Sequence, residues 1–335
     1  MEIDFCMNGL LEMVSKDEIE EYMRKALKVK LKNFDRKIYF YTPSFMYYKS
    51  QYFHSSSLDF PIISITGSNC ALKCKHCGGR VLDTMYSVTN PEKLLEFCLQ
   101  LDHEGSAGCL VSGGCQPDGS IPLSRFMGAI EEIKKKSDLT LIVHTGIIDL
   151  ETARQLRNAG VDAALIDIIG SDDTIKEIYR LNTTITAYED SLKSLRRAGI
   201  PFIPHIIVGL HNGKLIGELN ALKMVSKYKP SALVIIAFLP IKGTEMQDIS
   251  PPEPTDIAKI IAASRLILPE TPLALGCMRP KGKHRLKTDI LAIKSGVNAI
   301  AFPIDNAIGF ARKMEYEIIF SPVCCSQIYS DIIHT

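Results

Sequence analysis

Leu150-Glu151-Thr152-Ala153-Arg154-Gln155-Leu156-Arg157-Asn158-Ala159-Gly160-Val161-Asp162-Ala163-Ala164-Leu165-Ile166-Asp167-Ile168 reads as one helix, one stop and one strand. The helical pattern Leu150–Asn158 meets a glycine at the cap position, and a short apolar run follows at once. The same small-Gly-apolar punctuation recurs at Ala198-Gly199-Ile200 and Ser295-Gly296-Val297. Outward from this unit, strand candidates fall at Ile62–Thr66, Gly108–Ser112, Thr140–His144, Phe202–Val208, Ala232–Phe238, Leu273–Gly276 and Asn298–Phe302. Between them run helical patterns at Pro91–Leu101, Ser124–Lys136, Ala187–Ala198, Gly217–Tyr228, Thr255–Ile267 and His284–Lys294, the first opened by Asn90-Pro91. Eight strands alternating with helices predict an α/β fold, a (β/α)8 TIM-type barrel over residues 55–305. A doubly wound open sheet is the rival. Residues 1–54 are expected to form a helical extension, with a charged amphipathic helix from Lys16 to Lys32 and an aromatic stretch, Lys37-Ile38-Tyr39-Phe40-Tyr41. Residues 306–335 are expected to form a tail over the barrel mouth.

The 335 residues are 46% hydrophobic with a formal net charge of +1, enough for a large core and without a global pull toward nucleic acid or a membrane surface. The start, Met1-Glu2-Ile3-Asp4-Phe5, lacks a signal-peptide pattern, and the longest apolar runs, such as Ala232 to Ile241, are too short to span a bilayer. A soluble, cytoplasmic protein is expected. Ten cysteines in such a chain argue for metal rather than disulfides. Cys98 fits the apolar face of a helix and reads as packing.

Directly after the first strand, where barrels place their chemistry, stands Gly67-Ser68-Asn69-Cys70-Ala71-Leu72-Lys73-Cys74-Lys75-His76-Cys77. The C-x3-C-x2-C spacing lets one short loop fold three thiolates around a cubane iron–sulfur cluster, leaving one iron open. A zinc knuckle completed by His54 or His76 is the bland alternative. The second strand ends in Ser112-Gly113-Gly114-Cys115, and paired glycines there let the backbone approach a bound small molecule. Asp167, at the end of an apolar strand, is a carboxylate that must be paired if buried. Cys6, Cys115, Cys277, Cys324 and Cys325 remain as further candidate ligands.

The triad loop resembles that of the radical S-adenosylmethionine (SAM) superfamily. That resemblance implies a 4Fe–4S cluster on Cys70, Cys74 and Cys77, SAM chelated to the open iron, and reductive cleavage to a 5′-deoxyadenosyl radical. It further implies SAM contacts from His76, from Gly113 and Gly114, from Asp167 and Ser171 toward the ribose, and from the backbone edge at Val208 and Gly209 toward adenine. An electron from a flavodoxin or ferredoxin is implied too. Residues 60–305 are similar in order and spacing to biotin synthase, at the triad loop, at Ile207-Val208-Gly209-Leu210, at the Lys242-Gly243-Thr244 turn and at Arg279. In that family the matching arginine faces a sulfur-donating cluster, which makes Arg279 a candidate catalytic residue. Its barrel cluster cysteines are missing near Ile142 and Ile203, and only Cys109 stands near one of them. Gly276-Cys277-Met278-Arg279-Pro280 and the terminal Cys324-Cys325 pair most resemble a component of the split lipoyl synthases, two radical SAM proteins acting together. This implies sulfur insertion from an auxiliary iron–sulfur cluster into an octanoyl-lysine of a carrier protein or lipoyl domain, with a second radical SAM synthase as partner. The helix Lys16–Lys32 and the basic run Lys281-Gly282-Lys283-His284-Arg285 are candidates for steering an acidic carrier. A radical SAM enzyme of other cofactor assembly without sulfur transfer, and a non-catalytic iron–sulfur or zinc scaffold, are the alternatives.

Overall fold

The computed structural model describes residues 15–44, 48–56 and 58–333. All eight expected strands are present, as β2 (Ile62–Ser64), β4 (Gly108–Ser112), β5 (Thr140–His144), β6 (Ala163–Asp167), β7 (Phe202–Val208), β8 (Leu233–Ala237), β9 (Leu273–Leu275) and β10 (Ala299–Ala301). Three more lengthen the sheet: β1 (Lys37–Tyr41), β3 (Tyr86–Ser87) and β11 (Glu317–Ser321). The order is β11-β1-β10-β9-β8-β7-β6-β5-β4-β2-β3, with every pair parallel. The fold is α/β as expected, a curled parallel half-barrel consistent with the TIM type, and the expected closure into eight strands is not seen among the described residues. The reason is β1. It pairs with β10, Tyr39 opposite Ala299, along the edge that a closed barrel would offer to β2.

A parallel sheet must be covered on both faces, and the strands divide their side chains accordingly. Leu110, Ile142, Leu165, Ile203 and Val234 point into the bore, while Cys109, Val111, Leu141 and Val143 meet the outer helices. The period of two thus builds two cores from single strands. Each such side chain stabilises by roughly 1.5–3 kcal/mol when fully buried. The outer layer is α1 (Lys16–Asn33), α2 (Pro91–His103), α3 (Met127–Lys136), α4 (Leu150–Asn158), α5 (Ile185–Ala198), α6 (Glu218–Ser226), α7 (Pro254–Ile267), α8 (Lys283–Lys294) and α9 (Asp305–Lys313). Asn90 caps α2 by accepting the Lys93 N–H, with Pro91 in the first turn. Gly160, Gly199 and Gly296 carry the positive φ values of 83°, 71° and 83° that end α4, α5 and α8 before a strand.

The two extensions are woven into this frame. Ser15 and Glu18 form a capping box at the start of α1, which packs on α7. Lys30, on the expected charged helix, is fully buried and donates to the carbonyls of Asp35 (2.7 Å) and Lys37 (3.0 Å), fixing the turn into β1. Burial pulls its pKa down to about 7. At the other end, the chain leaves β11 and turns into the bore, where Cys325 and Ile328 join the inner core. The short helix α10 (Ile328–Ile333) follows. Tyr329 donates to the Asp162 carbonyl at the start of β6 (3.1 Å), and Tyr41 hydrogen-bonds Asp331. The tail therefore lies along the floor of the bore, not over its mouth as expected. Ala163, Ala232, Ala274 and Ala299 on the inner face are small, and leave the room it occupies.

Candidate functional site

The triad loop leaves β2 and is tied down on both sides. Gly114 N–H donates to Thr66 Oγ1 (2.7 Å), Ala71 N–H to the Cys115 carbonyl (2.8 Å) and Lys75 N–H to the Ile178 carbonyl (2.9 Å). Lys73 takes a φ of 45°, a strained setting for a side-chain-bearing residue, between the first two cysteines. Cys74 and Cys77 are buried and Cys70 half-buried; Cys74 Sγ lies 3.6 Å from the Tyr179 carbonyl oxygen. The ligand atoms of Cys74, His76 and Cys77 lie within 4.8 Å of one another. The His76 ring packs 5.2 Å from that of Tyr179, and its Nδ1 is buried without a hydrogen-bond partner. Cys70 turns toward Cys115, whose thiol donates to it and holds Cys70 down at about 5. Cys77 is lowered to about 4 by the Cys74 thiol and by His76, while Cys74 is pushed up by the same hydrogen bond and by burial. Two of the three sulfurs are thus poised as thiolates, the form that ligates metal. The donor set and its single short loop fit an iron–sulfur cluster.

Cys115 is accordingly a neighbour of the triad. The paired glycines have a local reason: a Cβ on Gly114 would lie 2.0 Å from the Asn69 carbonyl oxygen and 2.7 Å from Cys70 Cα. Gly114→Ala should displace the triad loop and weaken its iron affinity by roughly 10–100-fold, the range seen when a metal site loses outer support. Anaerobic ferrous-iron titration in the presence of sulfide measures it.

Below the loop, a cavity of about 160 Å3 occupies the bore. Its walls are mostly apolar, with Phe60, Ile62, Leu110, Leu165, Val234 and Ile236. The polar exceptions are His144, Asp167 and His205, with Cys277, Cys324 and Cys325. His144 Nε2 stands 3.6 Å from Asp167 Oδ1. Burial raises the Asp167 carboxyl, but His144, His205 and His76 outweigh it and hold the group low. Burial lowers His205 to about 4, and its Nδ1 has no partner. Asp167 is therefore paired inside the bore. Sequence reasoning missed both histidines. The legible signal was the one that marked Asp167, a titratable residue on an apolar strand.

Other expected contacts are differently placed. Ser171 Oγ caps a short turn by accepting the Thr174 N–H (3.3 Å). The backbone edge assigned to adenine is already engaged: the Val208 carbonyl takes the Phe238 N–H, and Gly209 N–H donates to Glu218 Oε1 (both 2.8 Å). Arg279 is fully buried and gives Nε to Asp289 (2.8 Å) and Nη1 to the Gly276 carbonyl (2.6 Å). It braces the turn that carries Cys277 instead of presenting its guanidinium to a ligand. Cys98 and Cys109 are buried between strand and helix, sulfurs 3.9 Å apart, as packing. Cys6 lies outside the described residues. His54, on an isolated bridge with Lys49, is absent from the one tight donor group found among the described residues. No described helix is long and apolar enough to cross a membrane.

Residues 64–214 match the Radical SAM superfamily. Among curated proteins, biotin synthase of Campylobacter hominis is 25% identical over 246 residues, covering 71% of this chain and 74% of its own. Biotin synthase of Coxiella burnetii is 26% identical over 275 residues, covering 76% and 82%. In fold, the chain is similar to methylornithine synthase, with a TM-score of 0.61 and 17% identity over 89% of this chain and 81% of that one. It is also similar to the FeFe-hydrogenase maturase HydG, with a TM-score of 0.67 and 15% identity over 96% and 72%. The matched segment opens at the end of β2 and contains the whole cysteine loop, so the part of the chain that carries the candidate site is similar to the radical SAM superfamily, and the chain has biotin synthase-like relatives at about 25% identity.

Proposed function

We propose that this radical SAM enzyme inserts sulfur at unactivated C–H carbons of an octanoyl chain carried on a lysine, a lipoyl-forming reaction. The observation that carries the reading is one apolar bore with thiols at two levels: the triad loop at its mouth, and Cys277, Cys324 and Cys325 on its wall. A 4Fe–4S cluster on Cys70, Cys74 and Cys77, with SAM on its open iron, supplies a 5′-deoxyadenosyl radical when bound, and an auxiliary cluster supplies sulfide. The protein's own work is placement and exclusion. Phe60, Leu110, Leu165 and Val234 offer a dry, alkyl-sized wall, and a site without water protects a reactive radical from side reactions. His144 and Asp167 form a polar stripe on that wall, suited to a ligand with one polar end.

A flavodoxin or ferredoxin is the proposed electron donor, and a second radical SAM synthase the proposed partner for the other insertion. The carrier would dock at the mouth. There the expected basic run is only half available: Lys281 and Lys283 are exposed, whereas Arg285 is buried and donates to the Arg279 carbonyl (3.0 Å). Two lysines at a rim would mainly raise the encounter rate with an acidic domain. The test supplies octanoyl-lysyl peptide or carrier, SAM, dithionite and the partner synthase under anaerobic conditions. The expected product gains one sulfur atom per insertion. Octanoyl substrates that stay unchanged and leave 5′-deoxyadenosine formation unstimulated would overturn the lipoyl reading, while radical SAM chemistry without sulfur transfer would stand.

A further inference from the structure

We propose that Cys115 is a fourth, exchangeable ligand of the cluster on the triad loop: it caps the open iron while SAM is absent and leaves when SAM arrives. This role presupposes a cluster on Cys70, Cys74 and Cys77 and is independent of sulfur insertion.

Cys115 reaches the triad from a separate part of the chain, just past the end of β4. Several backbone contacts hold it there. Ala71, next to Cys70, donates its N–H to the Cys115 carbonyl (2.8 Å), and Gly114 N–H donates to Thr66 Oγ1 (2.7 Å). So close an approach needs a glycine before Cys115, since a Cβ on Gly114 would lie 2.7 Å from Cys70 Cα. The sulfurs of Cys70 and Cys115 are thereby brought into a hydrogen bond. Cys115 also interacts electrostatically with Cys77 and with Cys74. One sulfur from the β4 side thus faces a loop that carries three.

Packing does not account for this thiol. Cys98 and Cys109 are sealed between strand and helix, whereas Cys115 is half-buried and lines, with Cys70, an open hollow beside the loop. A disulfide between the two would take Cys70 away from the triad. Ligation uses both sulfurs: four thiolates complete the ordinary ligand set of a 4Fe–4S cluster. His76 is the rival donor, but it already bonds the Cys77 sulfur from within the same loop.

The exchange moves no electrons. The bond from Cys115 to iron breaks as the amine and carboxylate of SAM's methionine bind. The ammonium of free SAM gives up a proton in order to ligate, and the departing thiolate takes one up. With SAM bound, only the triad sulfurs stay on the cluster, so the loop keeps its need for all three. An open metal position is a reactive one, and the cap confines it to the SAM-bound state.

The experiment is Mössbauer spectroscopy of the full chain, reconstituted anaerobically with isotopically enriched iron and sulfide, with and without SAM. The difference between parent and Cys115→Ala isolates the loop cluster from any other iron. Without SAM, the parent should show no iron of distinct ligation in that cluster, and Cys115→Ala should show one. With SAM, the two should match. SAM affinity, read from the change SAM makes in the electron paramagnetic resonance of the reduced cluster, should tighten by about tenfold or more in Cys115→Ala. A ligand that must wait for a form populated at roughly 10% or less binds weaker by that factor. Cys98→Ala should behave as the parent in both measurements. A distinct iron site in the SAM-free parent overturns the proposal without recourse to any variant. Weaker SAM binding by Cys115→Ala also overturns it, because that is the behaviour of a residue that holds SAM itself; so do an unchanged affinity and spectrum. Neither readout uses an octanoyl substrate or sulfur transfer, so failure here and failure of the lipoyl reading are told apart.

Discussion

Cys74→Ala is expected to abolish 5′-deoxyadenosine formation while leaving the sheet folded. Cys74 is 5% exposed and sits in the middle of the loop, its sulfur in the tight group with His76 and Cys77. Alanine loses one sulfur atom from a site next to the Tyr179 carbonyl, so the packing cost is small. The chemical cost is not, because two thiolates cannot hold a cubane with one open iron. The loss should exceed the roughly 10–100-fold that follows removal of an outer-shell partner. Cys98→Ala is the control, a buried thiol far from any ligand role, and should leave SAM cleavage unchanged. Chromatographic assay of 5′-deoxyadenosine with SAM and dithionite decides it. Undiminished cleavage by the Cys74 variant would sink the assignment of the cluster to this loop.

Asp289→Ala should produce the largest loss of stability among single changes considered. Asp289 and Arg279 are both 0% exposed and meet at 2.8 Å, and Asp289 also accepts the Ile304 N–H (3.3 Å). Removing the carboxylate leaves a guanidinium in the core with only carbonyl partners. Breaking one side of a buried pair costs about 3–5 kcal/mol, a large share of the roughly 5–15 kcal/mol that holds a typical domain. Replacing both partners, Arg279→Met with Asp289→Leu, should recover much of that loss, because no unpaired charge remains. Urea unfolding of the metal-free proteins under reducing conditions measures both. Equal stability of Asp289→Ala and the parent would show that the pair contributes nothing.

The eight central strands were legible because each is a short apolar run set between helical patterns, three of them announced by the glycine caps Gly160, Gly199 and Gly296, and they lie within a residue or two of where the sequence places them. Closure was not legible. Whether β10 meets β2 or another strand depends on Lys37–Tyr41, some 250 residues away in sequence, whose partners at Ala299 and Glu317 leave no local trace. The aromatic stretch was visible, but its role as a strand between β10 and β11 was not. At the site, the cysteine triad announced itself by spacing alone. Arg279 was read through its likeness to a cluster-facing arginine, and its partner Asp289, a turn and a helix away, redirects it to bracing. His144 and His205 went unread because one histidine on an apolar strand has no spacing to mark it. The parallel register of β5, β6 and β7, with Asp167 opposite His205 and Leu165 opposite His144, sets them beside Asp167.

The place of α10 has a kinetic consequence. A bore stopped at its floor is closed at the end away from the triad loop, which leaves the mouth and the gap between the sheet edges β3 and β11 as ways in. A ligand that enters the bore through its mouth passes the triad loop before SAM occupies it, and can leave that way only after the spent nucleoside has departed. Binding and release then form an ordered queue, first in and last out. Excess SAM should hinder the entry of a deep ligand without competing for its contacts, an inhibition that steady-state patterns separate from simple rivalry for one site.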